Sequence, residues 1–157
     1  MGEADETPRL VAWATEMQQT HDRLRAALRV TRAELGASGG ADPPGRDLLL
    51  FCHGFCTALS DHHRGEDRLL FPALAEQHPE LSATIDRLVQ DHSMIGYLLS
   101  GIEQVLASDA TTAQLERHLE GVSAIMESHF RYEERELLAM LEFLDLDAPV
   151  TDVYGTL

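Results

Sequence analysis

Apolar residues recur at helical spacing along most of this chain and divide it into four long segments. In the first segment, Leu10, Trp13, Met17, Leu24 and Leu28 fall three, four or seven residues apart, which is the spacing of one helix face. Long amphipathic helices joined by short connections pack into bundles. The pattern therefore predicts an all-α protein, an antiparallel up-down-up-down four-helix bundle.

Proline, glycine and capping residues set the predicted ends of the helices. The predicted helices cover residues 8–36, 46–72, 79–107 and 111–144, and residues 145–157 form a tail. Pro72 is expected to end or kink the second helix, and Thr111 with Gln114 forms a capping-box signature for the fourth. Pro149 and Gly155 are expected to exclude helix from the tail. Residues 1–157 are predicted to form a single domain.

Six polar residues interrupt the apolar stripes at positions that face the predicted core. They are His21, His62, Glu66, His92, His129 and Glu133. Each glutamate follows a histidine by four residues, so each such pair projects from one face of its helix. His21 precedes His62 by 41 residues and His92 precedes His129 by 37, so both halves of the chain carry one His…His-x-x-x-Glu set. This repetition predicts a two-metal site in the bundle core.

The chemistry of these residues favours iron. A buried unpaired carboxylate costs several kcal/mol, so two of them in an apolar core require neutralising cations. If Glu66 and Glu133 both bridge, each metal receives two imidazole nitrogens and two carboxylate oxygens, which leaves about two of six octahedral positions. Mixed imidazole and carboxylate ligation without thiolate suits iron, with manganese or zinc as weaker candidates.

Charge and composition narrow the expected partners and location. The net charge of −15 repels phosphate backbones and anionic lipids, so neither nucleic acid nor a membrane is an expected partner. No segment approaches the roughly 20 apolar residues of a membrane span. The first residues lack the features of a secretory signal, so a cytoplasmic location is expected. Cys52 and Cys56 are expected to be buried reduced thiols, with a redox switch as the alternative.

The remaining histidines and one arginine have predicted places around this site. His53 is expected at the surface or beside the site, and His118 at one end of the bundle. His63 is expected to point away from the core, with the alternative that it replaces His62 as the ligand. Arg25 is either a charge partner for a glutamate or a solvent-facing side chain.

The ordered set His21, His62-x-x-x-Glu66, His92 and His129-x-x-x-Glu133 resembles the ligand pattern of the hemerythrin-like, or HHE cation-binding, family. The Leu70-Phe71-Pro72 phrase is also typical of that family, and the resemblance spans about residues 10–143. It implies a four-helix bundle in which these six residues hold two iron ions with an oxo or hydroxo bridge. It also implies that the centre meets dioxygen, peroxide or nitric oxide.

One departure from the oxygen-carrying hemerythrins bears on function. Those proteins place two histidines four apart on the third helix, whereas His92 has Leu88 and Gly96 at those spacings. The missing position is open to water or substrate, or is filled by Tyr97, Tyr132 or Glu134. An exchangeable position favours redox turnover. The predicted function is reaction with dioxygen or peroxide, including catalase-like peroxide decomposition, and the alternative is sensing or storage of oxygen, nitric oxide or iron without turnover.

Overall fold

A computed structural model describes residues 11–37, 40 and 43–157 of the chain, and these residues contain helices and no strand. The helical elements are α1 (Trp13–Gly36), α2 (Arg46–Gly65), a π-helical turn (Glu66–Leu70), α3 (Phe71–Gln77), a 3₁₀ turn (Pro79–Leu81), α4 (Ser82–Leu106), α5 (Thr112–Leu141) and α6 (Val150–Tyr154). The predicted all-α class is confirmed. The predicted first helical residue, position 8, lies outside the described residues.

The four long helices α1, α2, α4 and α5 pack into one body. Helix α1 packs against α2 and α5, and α4 packs against the same two helices. Arg25 of α1 contacts Glu127 of α5, whereas Arg32, further along α1, reaches Ser123, so these two helices run in opposite directions. The up-down-up-down order of all four helices stays a prediction.

Two apolar clusters form the core, and a polar layer separates them. In α1, His21 lies between Met17 of one cluster and Leu24 of the other, and both apolar side chains are fully buried. In α4 the polar layer separates the two clusters in the same order, and α5 passes through them in the reverse order. Helix α2 contributes to one cluster only, and the other begins after it, at Leu70. Burial of each large apolar side chain contributes about 1.5–3 kcal/mol, so both clusters hold the helices firmly above and below the polar layer.

The second helix departs from its predicted end at Pro72. Helical backbone continues through the π-helical turn and α3 to Gln77. In the π-helical turn, the amide of Phe71 bonds to the carbonyl of Glu66, five residues earlier. Pro72 then occupies the first turn of α3, where its missing N–H group has little effect. Such π-helical turns are rare and frequently lie at functional sites.

The prediction that the tail excludes helix is wrong. Pro149 precedes the first residue of α6, where no amide donor is required, and Gly155 ends the helix with a φ of +87°. The two residues therefore bound the helix. Val153 and Tyr154 between them are buried against the core.

The start of α5 agrees with the capping signature in the sequence. The side-chain oxygen of Thr111 accepts a hydrogen bond from the amide of Gln114, and the Gln114 side chain accepts one from the amide of Thr111. The predicted capping box is therefore confirmed.

None of the helices within the described ranges combines the length and apolar character required to cross a membrane. The single domain over residues 1–157 and the cytoplasmic location stay predictions.

Candidate metal centre

Seven side chains from α1, α2, the π-helical turn, α4 and α5 meet in the polar layer. They are His21, His62, His63, Glu66, His92, His129 and Glu133, and the most exposed of them is 6% accessible. All six residues predicted from the sequence are among them. Donor atoms within 4.8 Å of one another form three groups, which are His63–His92–His129, His21–His62–Glu66 and Glu66–His92–Glu133. The imidazoles thus divide into a group of three and a group of two.

The two glutamates lie between these groups of imidazoles. Oε1 of Glu66 is 3.0 Å from Nε2 of His62 and 3.7 Å from Nε2 of His92. Glu133 places Oε2 at 3.1 Å from Nε2 of His129 and Oε1 at 4.0 Å from Nε2 of His21. Each carboxylate therefore reaches both groups, as a bridging ligand must.

Four of the imidazoles are held from outside the cluster through Nδ1. Nδ1–H donates to a neighbouring acceptor in His92 (Oδ1 of Asp67, 2.7 Å), His129 (Oδ2 of Asp91, 3.2 Å), His21 (Oε1 of Glu134, 3.0 Å) and His62 (the carbonyl of Tyr154, 3.0 Å). In a neutral imidazole, a proton on Nδ1 leaves Nε2 with a lone pair that faces the interior. Metal-ligating histidines are oriented in this way.

The atoms that face the interior fit a metal. In the described part of the chain, the buried side-chain atoms without a hydrogen-bond partner are Nε2 of His21, His62 and His63 and both carboxylate oxygens of Glu66 and Glu133. Each buried unpaired polar group costs about 1–3 kcal/mol, so a stable core would not concentrate them without a cation. Nε2 of His92 lies 3.1 Å from Nε2 of His129. Two adjacent nitrogen ligands, each about 2.1 Å from one ion, would be about 3.0 Å apart.

Burial and mutual repulsion shift the pKa values of the metal-free cluster. Burial raises the pKa of Glu66 to about 7, and burial together with the charge of Glu66 raises the pKa of Glu133. Burial lowers the pKa of His62 to about 4. Burial opposes charge on His129 as well, but the close contact with the carboxylate of Glu133 raises that pKa to about 9. The pocket therefore disfavours its own carboxylate charges unless protons or cations accompany them.

A family model provides the comparison with known proteins. The model of the hemerythrin HHE cation-binding domain matches residues 14–141, a span that includes all seven clustered side chains. The chain belongs to the hemerythrin HHE cation-binding family. No curated protein and no solved structure matches the chain. The predicted family is confirmed, and this hemerythrin-like chain has buried histidine and glutamate groups that could form a metal site.

The prediction that His63 points away from the core of this hemerythrin-like protein is wrong. His63 is 5% exposed, and its ring stacks on that of His92 with centroids 3.8 Å apart. His62 and His63 lie four and three residues before Glu66, and both spacings place a residue on the face of that glutamate. These two spacings are the sequence signal that His63, like His62, could face the cluster. Both histidines face the cluster, so neither replaces the other.

None of the three residues considered for the missing histidine position lies in the cluster. Tyr97 is 80% exposed, and the ring of Tyr132 packs beneath the guanidinium of Arg87 at 4.1 Å. Glu134 accepts the hydrogen bond from the outer nitrogen of His21. A fifth imidazole does reach the cluster, but it comes from His63 on α2.

Arg25 is a charge partner for glutamates. Its guanidinium contacts Glu127 at 2.9 Å and Glu134 at 3.1 Å, and Glu134 in turn contacts His21. Burial opposes ionisation of Glu134, but hydrogen bonds from His21 and Arg25 lower its pKa to about 2. The carboxylate therefore stays charged and orients the imidazole of His21.

The other histidines and the cysteines lie outside the cluster, as predicted. His53 is exposed and pairs with Glu103 at 2.8 Å, and His118 is also exposed. Cys52 and Cys56 are buried free thiols. Burial raises their pKa values to about 11 and about 12, so both remain protonated at neutral pH, which disfavours a redox switch.

Proposed function

We propose that this hemerythrin-like protein holds two iron ions and reacts with peroxide or dioxygen. The concentration of inward nitrogen and oxygen atoms without hydrogen-bond partners supports the proposal most strongly. His63, His92 and His129 would hold one ion, and His21 and His62 the other. Glu66 and Glu133 would each give one oxygen to each ion. Imidazole and carboxylate ligation without thiolate suits iron.

The unequal division of imidazoles supports an exchangeable position on one ion. With two carboxylate oxygens each, the ion at the three histidines would have about five protein ligands and the other ion about four. A bridging solvent oxygen would complete the first ion at six ligands and leave one position on the second. Exogenous ligands would then bind beside His21 and His62. This revises the count made from six residues, which divided the ligands equally.

The residues around this position favour small reactants. His21 and His62 are completely buried, and the ring of Phe130 stacks on His21 with centroids 3.9 Å apart. Bound iron would supply Lewis acidity and redox equivalents. The protein would orient the imidazoles and exclude bulky molecules and most water. In the catalase-like form of the reaction, one hydrogen peroxide is reduced to water while a second is oxidised to dioxygen.

The proposal is tested on protein produced with iron, by metal analysis, near-ultraviolet absorption and oxygen evolution from peroxide. We expect two irons per chain, charge-transfer absorption and repeated turnover. Replacement of Glu133 by Ala should remove most of the iron, whereas replacement of the exposed His118 should leave iron content and turnover unchanged. Two irons with a stable spectral change but no oxygen evolution would contradict the enzymatic form. Protein without iron would contradict the whole proposal.

A further inference from the structure

We propose that the C-terminal segment, residues 149–157, is a positioning element that holds His62 in its metal-binding orientation. The segment contains α6 and docks beside the part of α2 that carries His62 and His63. The proposal rests on the proposed function, because it assigns His62 to a metal. The proposal gives a role to a segment that lies outside residues 14–141, the span matched by the family model.

The acceptor that orients His62 differs in kind from those of the other imidazoles. His21, His92 and His129 donate to side-chain carboxylates, which rotate with their own side chains. Nδ1–H of His62 donates instead to the main-chain carbonyl of Tyr154, at 3.0 Å and fully buried. The position of that oxygen depends on the backbone, so it is correct only while the segment is docked.

Two glycines allow the backbone of the segment to approach α2 closely. A Cβ atom at Gly65 would lie 2.2 Å from the carbonyl oxygen of Val153 and 2.6 Å from that of Asp152, which are distances that no side chain tolerates. Gly155 has a φ of +87°, and a Cβ atom there would lie 3.4 Å from the amide of His62. The close approach therefore requires glycine at position 65, and the backbone conformation requires glycine at position 155.

Side-chain contacts with α1 hold the segment from the other side. Val153 and Tyr154 are at most 1% exposed. The Tyr154 hydroxyl donates to the carbonyl of Trp13 at 3.0 Å, and the two aromatic rings meet edge to face. Arg23 donates from Nε to the carbonyl oxygen of Leu157 at 2.8 Å. The segment thus connects α1 to α2 directly beside the cluster.

Docking and metal binding are therefore coupled. A docked segment keeps the proton of His62 on Nδ1 and leaves Nε2 free for the metal. By linkage, a metal at Nε2 stabilises the docked segment to the same extent. Metal occupancy should consequently slow amide hydrogen exchange in residues 150–155.

The experiment compares Gly65→Ala with Gly54→Ala, a control on the same helix where an added Cβ meets nothing within 4 Å. The first measurement uses metal-free protein and records the imidazole ¹⁵N shifts of His62. We expect the Nδ1–H tautomer in the wild type and in Gly54→Ala, and a mixture of tautomers in Gly65→Ala. This measurement needs no metal, so it decides the role of the segment even if iron does not bind.

The second measurement follows release of iron(II) to a chelator without oxygen. Loss of an outer hydrogen bond to a metal-binding histidine weakens binding roughly 10-fold to 100-fold, so release from Gly65→Ala should be at least about tenfold faster. Gly54→Ala should stay within about twofold of the wild type. If Gly65→Ala does not fold, Gly155→Ala is used, because at a φ of +87° the added Cβ strains the backbone beside Tyr154 without a severe clash with α2.

Two results would overturn the proposal. One is an unchanged His62 tautomer in a variant whose residues 150–155 exchange rapidly and are therefore undocked. The other is faster iron release with an unchanged tautomer, which would indicate general loosening of the bundle. If the wild type binds no iron but the His62 tautomer changes as expected in Gly65→Ala, the proposed function is contradicted and the positioning role is supported.

Discussion

At the scale of single residues, four imidazoles of the site are fixed by acceptors outside the cluster. Asp67 and Asp91 accept from His92 and His129, and Glu134 accepts from His21 while Arg25 neutralises it. An oriented imidazole loses little conformational freedom when a metal binds, so these acceptors preorganise the site. His63 differs, because the rings of His92 and His63 orient each other by stacking.

Replacement of His63 by Gln tests its place among the ligands. The variant should lose part of its iron, because the group of three imidazoles would keep only two donors. His53→Gln is the matched control on the same helix, since His53 is exposed and pairs with Glu103 outside the cluster. Iron content per chain measures the effect. Two tightly held irons in His63→Gln would show that His63 only packs against the site.

The residues that the sequence could reveal were those on helical spacing. A separation of four residues places two side chains on the same helix face, as in His62 with Glu66 and in His129 with Glu133. Asp91 and the carbonyl of Tyr154 could not be found in this way, because their histidines lie on other elements. Only tertiary packing brings them together.

At the scale of elements, capping residues predicted where a helix begins more reliably than prolines predicted where helix is absent. Thr111 and Gln114 predicted a cap that is present, because a capping box is satisfied by local contacts alone. Pro72 was expected to end or kink the second helix and Pro149 to exclude helix from the tail, but each lies in or before a first turn. Proline is compatible with that position, so its presence alone does not show that helix is absent after it.

The cap of α5 gives a prediction at this scale. Thr111→Ala should lower the free energy of unfolding by about 1 kcal/mol, because the amide of Gln114 loses its acceptor. Iron content should not change, since the cap lies more than four helical turns from His129 along α5. Urea unfolding measures the difference, with the exposed Thr57→Ala as the control. Equal stability of Thr111→Ala and the wild type would contradict the energetic role of the cap.

At the scale of the whole molecule, the buried site lowers the stability of the metal-free fold. Two apolar clusters enclose a layer in which two carboxylates and five imidazoles are buried together. Cations that bind only the folded state would offset this penalty, and they add about 4 kcal/mol at a free concentration 1,000 times the Kd. The bundle should therefore melt at a higher temperature when it is loaded with iron.

Glu66→Gln tests this penalty in metal-free protein. The folded pKa of Glu66, about 7, is above its ordinary value of 4.5, so its proton stabilises the fold fully at low pH. That stabilisation is lost as the pH rises through 7. Glutamine mimics the protonated carboxyl, so the variant should be about 1–3 kcal/mol more stable than the wild type at pH 8. The two proteins should be nearly equal at pH 4.5.

Urea unfolding of both metal-free proteins at the two pH values provides the measurement. A stability difference that does not change with pH would show that Glu66 is not a buried proton-binding group. In iron-loaded protein the order should reverse, because the amide cannot replace a bridging carboxylate.

Anomalous diffraction at the iron absorption edge, on crystals of the iron-loaded protein, tests the di-iron site most directly. We predict two peaks within about 4 Å of each other. One peak should lie beside His63, His92 and His129 and the other beside His21 and His62, with Glu66 and Glu133 between them. A single peak, or none within this cluster, would contradict the two-metal site.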